Sequence, residues 1–304
     1  MAEPSGFIAS GAASVQTPRM TSVQSVRLDD RVALRLSGAD ARNFLQGLIT
    51  NDIAAATPAH AIYAALLSAQ GKYLHDFFIA QAGDAYLLDA EAARLDDLLR
   101  RLNLYKLRAK VTIERTDFAV VAVIGDAAVD SLGLARERGA AKPLDGGVAF
   151  VDPRLIEAGA RIVAPAAALP NFDAGARAEY DAMRLRLGLP DGARDLLPDK
   201  SFILENGFEE LAGVDFDKGC YVGQEVTARM KHRALVRKRL VPVAIDGPAP
   251  APGTPVTRDG VEVGEIRSAQ DGQGLALIRT DAVGGRLSAG STAVTPRKPA
   301  WANF

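Results

Sequence analysis

The chain is poor in the residues from which metal sites and disulfides are built. Its 304 residues include one cysteine, Cys220, and three histidines, at positions 60, 75 and 232. A single cysteine excludes an internal disulfide framework and favours a reducing compartment, so we predict a cytoplasmic protein. Iron–sulfur clusters and structural zinc ions normally need four thiolate or imidazole ligands. We therefore predict no permanently bound metal.

A charge imbalance and a long apolar run are also missing. The 36 basic residues nearly balance the 37 acidic ones, so the total charge predicts neither a polyanionic partner nor a membrane surface. No apolar run approaches the roughly 18 residues of a membrane span. Residues 1–21 have no basic residue before Arg19, do not resemble a secretory signal and are predicted to form a flexible tail. Nothing in the sequence requires more than a monomer.

The spacing of apolar residues predicts an α+β protein of three parts. Residues 22–110 form a first lobe, with a hairpin over 25–36 followed by a helix that Asp40 caps. Residues 111–240 form a second lobe with helices near 127–138 and 175–187, and they include an irregular segment, 188–230, that we predict to be ordered and functional. Residues 241–304 have the short strands and Gly-rich turns of a small β-barrel.

The least random stretch is residues 217–225, which read Asp-Lys-Gly-Cys-Tyr-Val-Gly-Gln-Glu. It places Cys220 between two glycines and beside Lys218. Glycine lets the backbone come close to a ligand or partner, and an adjacent ammonium favours the thiolate. Free cysteine is also among the most buried residue types, so a small packed side chain is the alternative.

Two other clusters each have a functional interpretation and a purely structural one. The basic residues between Arg229 and Arg239 suit a polyanion, but charge runs usually face water and no aromatic residues alternate with these, so RNA binding is the weaker hypothesis. Glu205 and Asn206 offer a carboxylate and an amide to the donor edge of a pterin or purine, or they open an Asn-Gly turn. Of the histidines, His232 lies nearest the cysteine motif.

Residues 218–229 resemble the signature of the YgfZ family. These are folate-binding proteins of iron–sulfur cluster assembly and repair, related to the aminomethyltransferase (T-protein) of glycine cleavage. Residues 44–52, 70–72 and 105–111 resemble further family motifs in the expected order. Residues 204–206 and 237–240 are most similar to the mitochondrial iron–sulfur assembly branch. The resemblance covers roughly residues 22–300.

The resemblance implies a three-lobed, aminomethyltransferase-like folate-binding fold with a small C-terminal β-barrel. It implies a folate-dependent accessory protein in the assembly or repair of [4Fe–4S] proteins, with an indirect effect on tRNA modification in bacteria. Its partners are tetrahydrofolate and iron–sulfur assembly or client proteins, and Cys220, with Lys218, is the functional thiol and a candidate transient metal ligand. The predicted cofactor-binding residues are Asn51, Asp52, Arg184, Glu205, Asn206, Tyr221, Gln224, Glu225 and Arg237.

Two departures separate the chain from an aminomethyltransferase. His75 stands where the resemblance places an acidic residue that assists transfer, and Arg186 stands where it places a folate-contacting glutamate. Aminomethyl transfer to tetrahydrofolate is therefore the alternative function, and a tRNA-binding module is a weaker one. Glu205 is the candidate for the missing carboxylate.

Overall fold

The strands of the chain form two sheets and a closed barrel. A computed structural model describes residues 22–304, and the predicted tail, residues 1–21, lies outside the described residues. The strands before residue 119 are β1 (Gln24–Arg27), β2 (Arg31–Ser37), β3 (Ile62–Leu67), β4 (Tyr73–Ala82), β5 (Ala85–Glu91) and β6 (Thr112–Arg115). Those that follow, up to residue 174, are β7 (Ala119–Ile124), β8 (Ala141–Leu144), β9 (Gly147–Val151), β10 (Ala160–Ala164) and β11 (Asp173–Ala174).

The barrel strands are β12 (Lys238–Asp246), β13 (Pro255–Arg258), β14 (Val261–Gln270), β15 (Gln273–Arg279), β16 (Leu287–Ala289) and β17 (Thr292–Pro296). The α-helices are α1 (Ala41–Gln46), α2 (Leu95–Lys106), α3 (Ala128–Ser131), α4 (Arg177–Leu187) and α5 (Gln224–His232). None of the helices in residues 22–304 has the length and apolar character needed to span a membrane.

The first sheet has the order β3-β4-β5-β2-β6, and all its neighbouring strands are antiparallel. The second has the order β11-β1-β7-β10-β9-β8, in which only the β1–β11 pair is parallel. The barrel runs β12-β15-β14-β13-β16-β17 and closes through the β12–β17 pair. The predicted α+β class with a small C-terminal barrel is confirmed.

One core lies between the two sheets. Along β3, Ile62, Ala64 and Leu66 pack with apolar residues of α1 and α2, because successive side chains of a strand point to opposite faces. Tyr63, Ala65 and Leu67 point the other way and pack with residues of the second sheet. The irregular segment is ordered and supplies Leu189, Leu196, Ile203, Leu204, Phe208 and Leu211 to this shared core.

Ion pairs tie the two sheets together inside this core. Arg31 on β2 and Arg161 on β10 both donate to the carboxylate of Asp89 on β5, each at 2.6 Å. The Arg161 guanidinium also lies 3.9 Å from the ring centroid of Phe78. Since all three charged residues are buried, a change in the relative position of the sheets would leave a charge unpaired at high cost.

Three local predictions are wrong, and two predicted domain boundaries differ from the observed strand pairings. Residues 25–36 do not form a hairpin, because β1 pairs with β7 and β11 whereas β2 pairs with β5 and β6. The same pairings place residues 24–27 in the second sheet and β6 in the first sheet. Each sheet therefore contains a strand from the other side of the predicted boundary at 110/111. The Asp40 side chain does not cap α1 but accepts from the backbone N–H of Lys110 at 2.7 Å. The helix predicted over 127–138 is limited to α3, and the barrel begins at Lys238 rather than at residue 241.

His75 is a buried neutral group beneath α2. Its Nε2 lies 2.9 Å from Oδ2 of Asp97, and only 3% of the residue is exposed. Burial, assisted by the nearby Arg94, lowers the pKa of His75 to about 4, against the pull of Asp97. The neutral imidazole therefore donates its Nε2–H to the carboxylate.

This pKa predicts acid sensitivity. Because the pKa of His75 is about 4 in the folded protein and 6.5 in the unfolded chain, the unfolded state binds the proton first as the pH falls. We expect the free energy of unfolding to fall between these two pH values by up to about 3 kcal/mol, as measured by urea unfolding. His75→Gln should remove this part of the slope, and His232→Gln, at an exposed position, should keep it. An unchanged slope in His75→Gln would contradict the assignment.

Candidate functional site around Cys220

Cys220 is exposed, so the packed-side-chain alternative is wrong. It lies in an irregular loop that leads into α5 and passes over the C-terminal end of α1. The backbone N–H of Val222 donates to the carbonyl of Gly47 at 3.2 Å. The loop therefore places a thiol at the surface on backbone that is itself fixed.

Lys218 fixes the loop from below. Its Nζ donates to the carbonyl oxygens of Gln46, Ile49 and Asn51 at 2.9, 2.6 and 2.8 Å, so all three hydrogens of the ammonium are used. The residue is 7% exposed, and this burial lowers its pKa to about 8, against the pull of Asp52 and Asp215. At neutral pH the group is charged. The sequence suggested that this ammonium acts on the thiol, but the structure gives its hydrogens to the backbone, which makes Lys218 a positioning residue.

A backbone hydrogen-bond network fixes the start of the same loop. Oδ1 of Asp215 accepts from the backbone N–H groups of Asp217 and Lys218 at 2.7 and 3.2 Å. The N–H of Asp215 donates to the carbonyl of Thr50, and the Thr50 hydroxyl donates to the carbonyl of Gly213 at 2.6 Å. Two motifs that are far apart in sequence, residues 44–52 and 217–225, are thus one structural unit.

The two glycines that flank the thiol differ in their surroundings. Gly223 has φ +83°, and an added Cβ would lie 2.4 Å from the carbonyl oxygen of Ser68. Its own carbonyl lies against Gly71, in the turn between β3 and β4. Gly219 has nothing within 4 Å of an added Cβ. The close approach predicted for glycine is therefore made by Gly223 to the protein's own backbone, while Gly219 borders open space.

A cavity of about 410 Å³ lies beside the start of this loop. Its polar and aromatic lining comes from the first lobe, the second lobe and the loop: Asn51, His60, Arg138, Asp215, Phe216 and Asp217. The amide nitrogen of Asn51 already donates to the carbonyls of Tyr63 and Ala212 at 2.8 Å each. Of the nine predicted cofactor-binding residues, only Asn51 lines this cavity.

Four of the other predicted residues have internal structural roles. Arg184 is 1% exposed and donates to Asp181 and Asp195, both at 2.7 Å. The Asn206 amide donates to the carbonyl of Phe202. Tyr221 packs in the shared core, and Oε1 of Gln224 accepts from the backbone N–H of Tyr221 at the start of α5.

The remaining four predicted residues are more accessible, and none of them lines the cavity beside the loop. Asp52 is half-buried and accepts from the N–H of Ala54, whereas Glu225 and Arg237 are exposed. Glu205 is half-buried, and burial raises its pKa while Lys238 and Lys72 oppose the shift.

Asp76 on β4 is a carboxylate that faces the shared core, and sequence reasoning did not place it there. Because side chains alternate along β4, His75 points to α2 and Asp76 points to the core. Its two oxygens accept from the hydroxyls of Tyr63 and Tyr73 at 2.8 and 2.7 Å. Burial raises the pKa of both tyrosines, which keeps them as donors. Arg186, the second departure, is exposed and lines a cleft between α4 and the barrel.

The contrast between the two glycines gives a matched test. Gly223→Ala should lower the free energy of unfolding by about 1–3 kcal/mol, because a Cβ must displace the Ser68 backbone and occupy a positive φ. Gly219→Ala, on the other side of the same thiol, should leave it almost unchanged. Chemical unfolding of both variants measures the difference, and equal destabilisation would show that the close contact is not made.

Comparisons with known proteins cover both ends of the chain. Residues 21–140 match the family described as GCVT N-terminal domain, and residues 237–304 match CAF17, C-terminal beta-barrel domain. The solved structure of the glycine cleavage system aminomethyltransferase T from Bartonella henselae superposes with a TM-score of 0.76, covering 93% of this chain and 87% of that one. At 16% identity this likeness shows the fold alone.

Two curated relatives extend over most of the chain, and both are named iron–sulfur cluster assembly factor IBA57, mitochondrial. The Mus musculus protein is 34% identical, over 90% of this chain and 84% of its own. The Homo sapiens protein is 35% identical, over 86% and 79%. The prediction of a cytoplasmic location is contradicted, because these relatives are named as mitochondrial. The assembly-factor resemblance is confirmed, and the chain belongs to the IBA57 family of iron–sulfur cluster assembly factors.

Proposed function

We propose that this protein takes part in the assembly of iron–sulfur proteins and that Cys220 is its functional thiol. The observation that carries the proposal is an exposed thiol on a loop held by a buried ammonium and a close glycine contact. A cysteine on a flexible surface loop would not need a buried ammonium and a close glycine contact to hold its backbone. A fixed thiol can meet a partner in one defined geometry.

The cargo has to be shared with another protein. Among residues 22–304, no group of three or more His, Cys, Asp or Glu side chains could hold a metal ion. A cluster needs about four ligands, so Cys220 can supply one and a partner must supply the rest. In this step the Cys220 thiol gives up its proton and its sulfur replaces one ligand on an iron of the partner-bound cluster, and the departing ligand takes up that proton. The iron–sulfur cluster is therefore a substrate that Cys220 binds only transiently.

Cys220→Ser tests the role of the thiol. We expect it to abolish rescue of [4Fe–4S] enzyme activity in cells that lack this protein, because a hydroxyl is a much poorer ligand for iron. Its unfolding should match the wild type, since the side chain is exposed. Asp76→Asn is the comparison variant. Full rescue by Cys220→Ser together with loss in Asp76→Asn would refute the proposal and favour the aminomethyltransferase alternative.

Tetrahydrofolate, the cofactor that the resemblance implies, finds no free carboxylate at His75 or Asp76. A pterin presents donors that need a free carboxylate. The core-facing Asp76 is 4% exposed and is bonded by two tyrosine hydroxyls, and His75 faces α2. Arg184 is bonded within an ion-pair network. We therefore propose that the assembly function has no step through folate.

Calorimetric titration with tetrahydrofolate tests this directly. We expect no saturable heat with the wild type. We expect none with Glu205→Gln either, because the charge of that carboxylate is already opposed by Lys238, Lys72 and Arg239. Saturable binding that Glu205→Gln weakens would restore folate as the cofactor and would place its pocket at Glu205.

RNA binding remains the weaker hypothesis, because the basic residues of α5 and β12 are partly paired within the chain. Lys231 pairs with Glu209, and Arg239 pairs with Glu210 at 3.0 Å while also donating to the carbonyl of Leu204. Part of the positive charge is thus neutralised within the chain. We propose that any effect on tRNA modification passes through an iron–sulfur enzyme.

A further inference from the structure

Three large apolar side chains at the end of α2 are exposed together. Leu104 is 62% exposed, Tyr105 43% and Leu107 87%. They belong to residues 104–110, which we call the α2 tip. The function proposed above gives these residues no role, although residues 105–111 were among the motifs that the sequence singled out.

Local stability does not explain an apolar residue at position 107. Leu107 has φ +44°, a backbone conformation that disfavours any L side chain. Burial normally offsets such strain, but this side chain has almost no contact with the rest of the protein. Strained residues that the surroundings hold in place are typical of functional sites.

The charge around the tip has one sign. From Leu98 to Ile113 the chain contains five basic residues and no acidic one. Arg100 and Arg101 pair with Asp97 of α2. Within residues 22–304, Lys106, Arg108 and Lys110 make no ion pair. The tip is thus an apolar centre with an unneutralised basic rim.

This arrangement has the anatomy of a protein interface. Interface centres combine apolar and aromatic side chains, the rim is polar, and complementary charge selects the partner. An acidic protein surface with its own apolar patch fits these features.

The tip and the thiol loop are fixed to opposite ends of one short helix. Before α1, Asp40 accepts from the backbone of Lys110 at 2.7 Å, and after it Gly47 accepts from the backbone of Val222 at 3.2 Å. The six residues of α1 are about 9 Å long. A standard interface covers about 800 Å² on each protein, which is about 30 Å across, so one partner can contact both.

We propose that the α2 tip is the docking surface for an acidic protein that exchanges iron–sulfur cargo at Cys220. The apolar tip supplies contact area, and Lys106, Arg108 and Lys110 orient the partner through its carboxylates. The cargo part of this inference rests on the function proposed above, whereas docking at the tip does not.

Leu107→Glu tests the proposal, with Val261→Glu as the matched control. Val261 is 61% exposed on the barrel, so both variants place a charge on an exposed apolar position. We expect Leu107→Glu to lose rescue of [4Fe–4S] enzyme activity and Val261→Glu to retain it. Unfolding temperature and the rate of Cys220 reaction with a soluble disulfide reagent should stay unchanged in both. Wild-type rescue by Leu107→Glu, or equal loss in both variants, would overturn the proposal.

Leu107→Gly separates docking from folding. Glycine accepts the positive φ, so this variant should unfold at or above the wild-type temperature and still lose rescue. If it rescues fully, the apolar side chain is not needed and the proposal fails. Cys220→Ser gives the independent readout, because its full rescue would reject the thiol function without bearing on the tip.

A photo-crosslinking amino acid at position 107 identifies what occupies the tip. We expect an adduct with an acidic iron–sulfur protein, lost when Arg108 and Lys110 are changed to glutamate and absent from the same probe at position 261. An adduct with lipid or RNA, or one that survives the charge reversal, would overturn the assignment.

Discussion

The geometry of the candidate site depends on one buried ammonium group. Lys218 joins two segments that are far apart in sequence by giving all its hydrogens to three carbonyls at the end of α1 and just beyond it. Burying a charge is costly unless it is fully hydrogen-bonded, and these three carbonyls supply an acceptor for every hydrogen of the ammonium. The position of Cys220 therefore depends on the hydrogen bonds that the Lys218 ammonium makes to these carbonyls. The exposed thiol itself does not hold the loop in place.

A second set of buried charges gives this loop a rigid base. The two sheets meet through Arg31, Asp89 and Arg161, and the same core encloses Asp76 with its two tyrosines. In this part of the fold, which the chain shares with an aminomethyltransferase, these polar side chains are hydrogen-bonded to one another. The buried charges of this interior are thus paired with one another, whereas the thiol of Cys220 lies at the surface.

Part of this was readable from the sequence. The strands Ile62–Leu67 and Ala119–Ile124 are visible in the sequence, because continuous apolar runs bounded by turn residues mark buried strands. The hairpin over 25–36 failed because alternation shows that a strand exists but not which strand it pairs with. The roles of Lys218 and Asp76 could not be predicted, since their partners are backbone carbonyls and tyrosines with no local signature. The resemblance supplied the overall fold, and the thiol motif marked a loop whose cysteine the structure shows to be exposed.

The presence of a single thiol limits what the chain can do with a cluster. A protein with a full ligand set stores its metal and acts as a reservoir, whereas one ligand holds cargo only while a second protein remains attached. Raising the cellular amount of such a chain would not sequester iron or sulfide. With the function proposed above, its throughput would instead depend on how quickly each partner binds and dissociates.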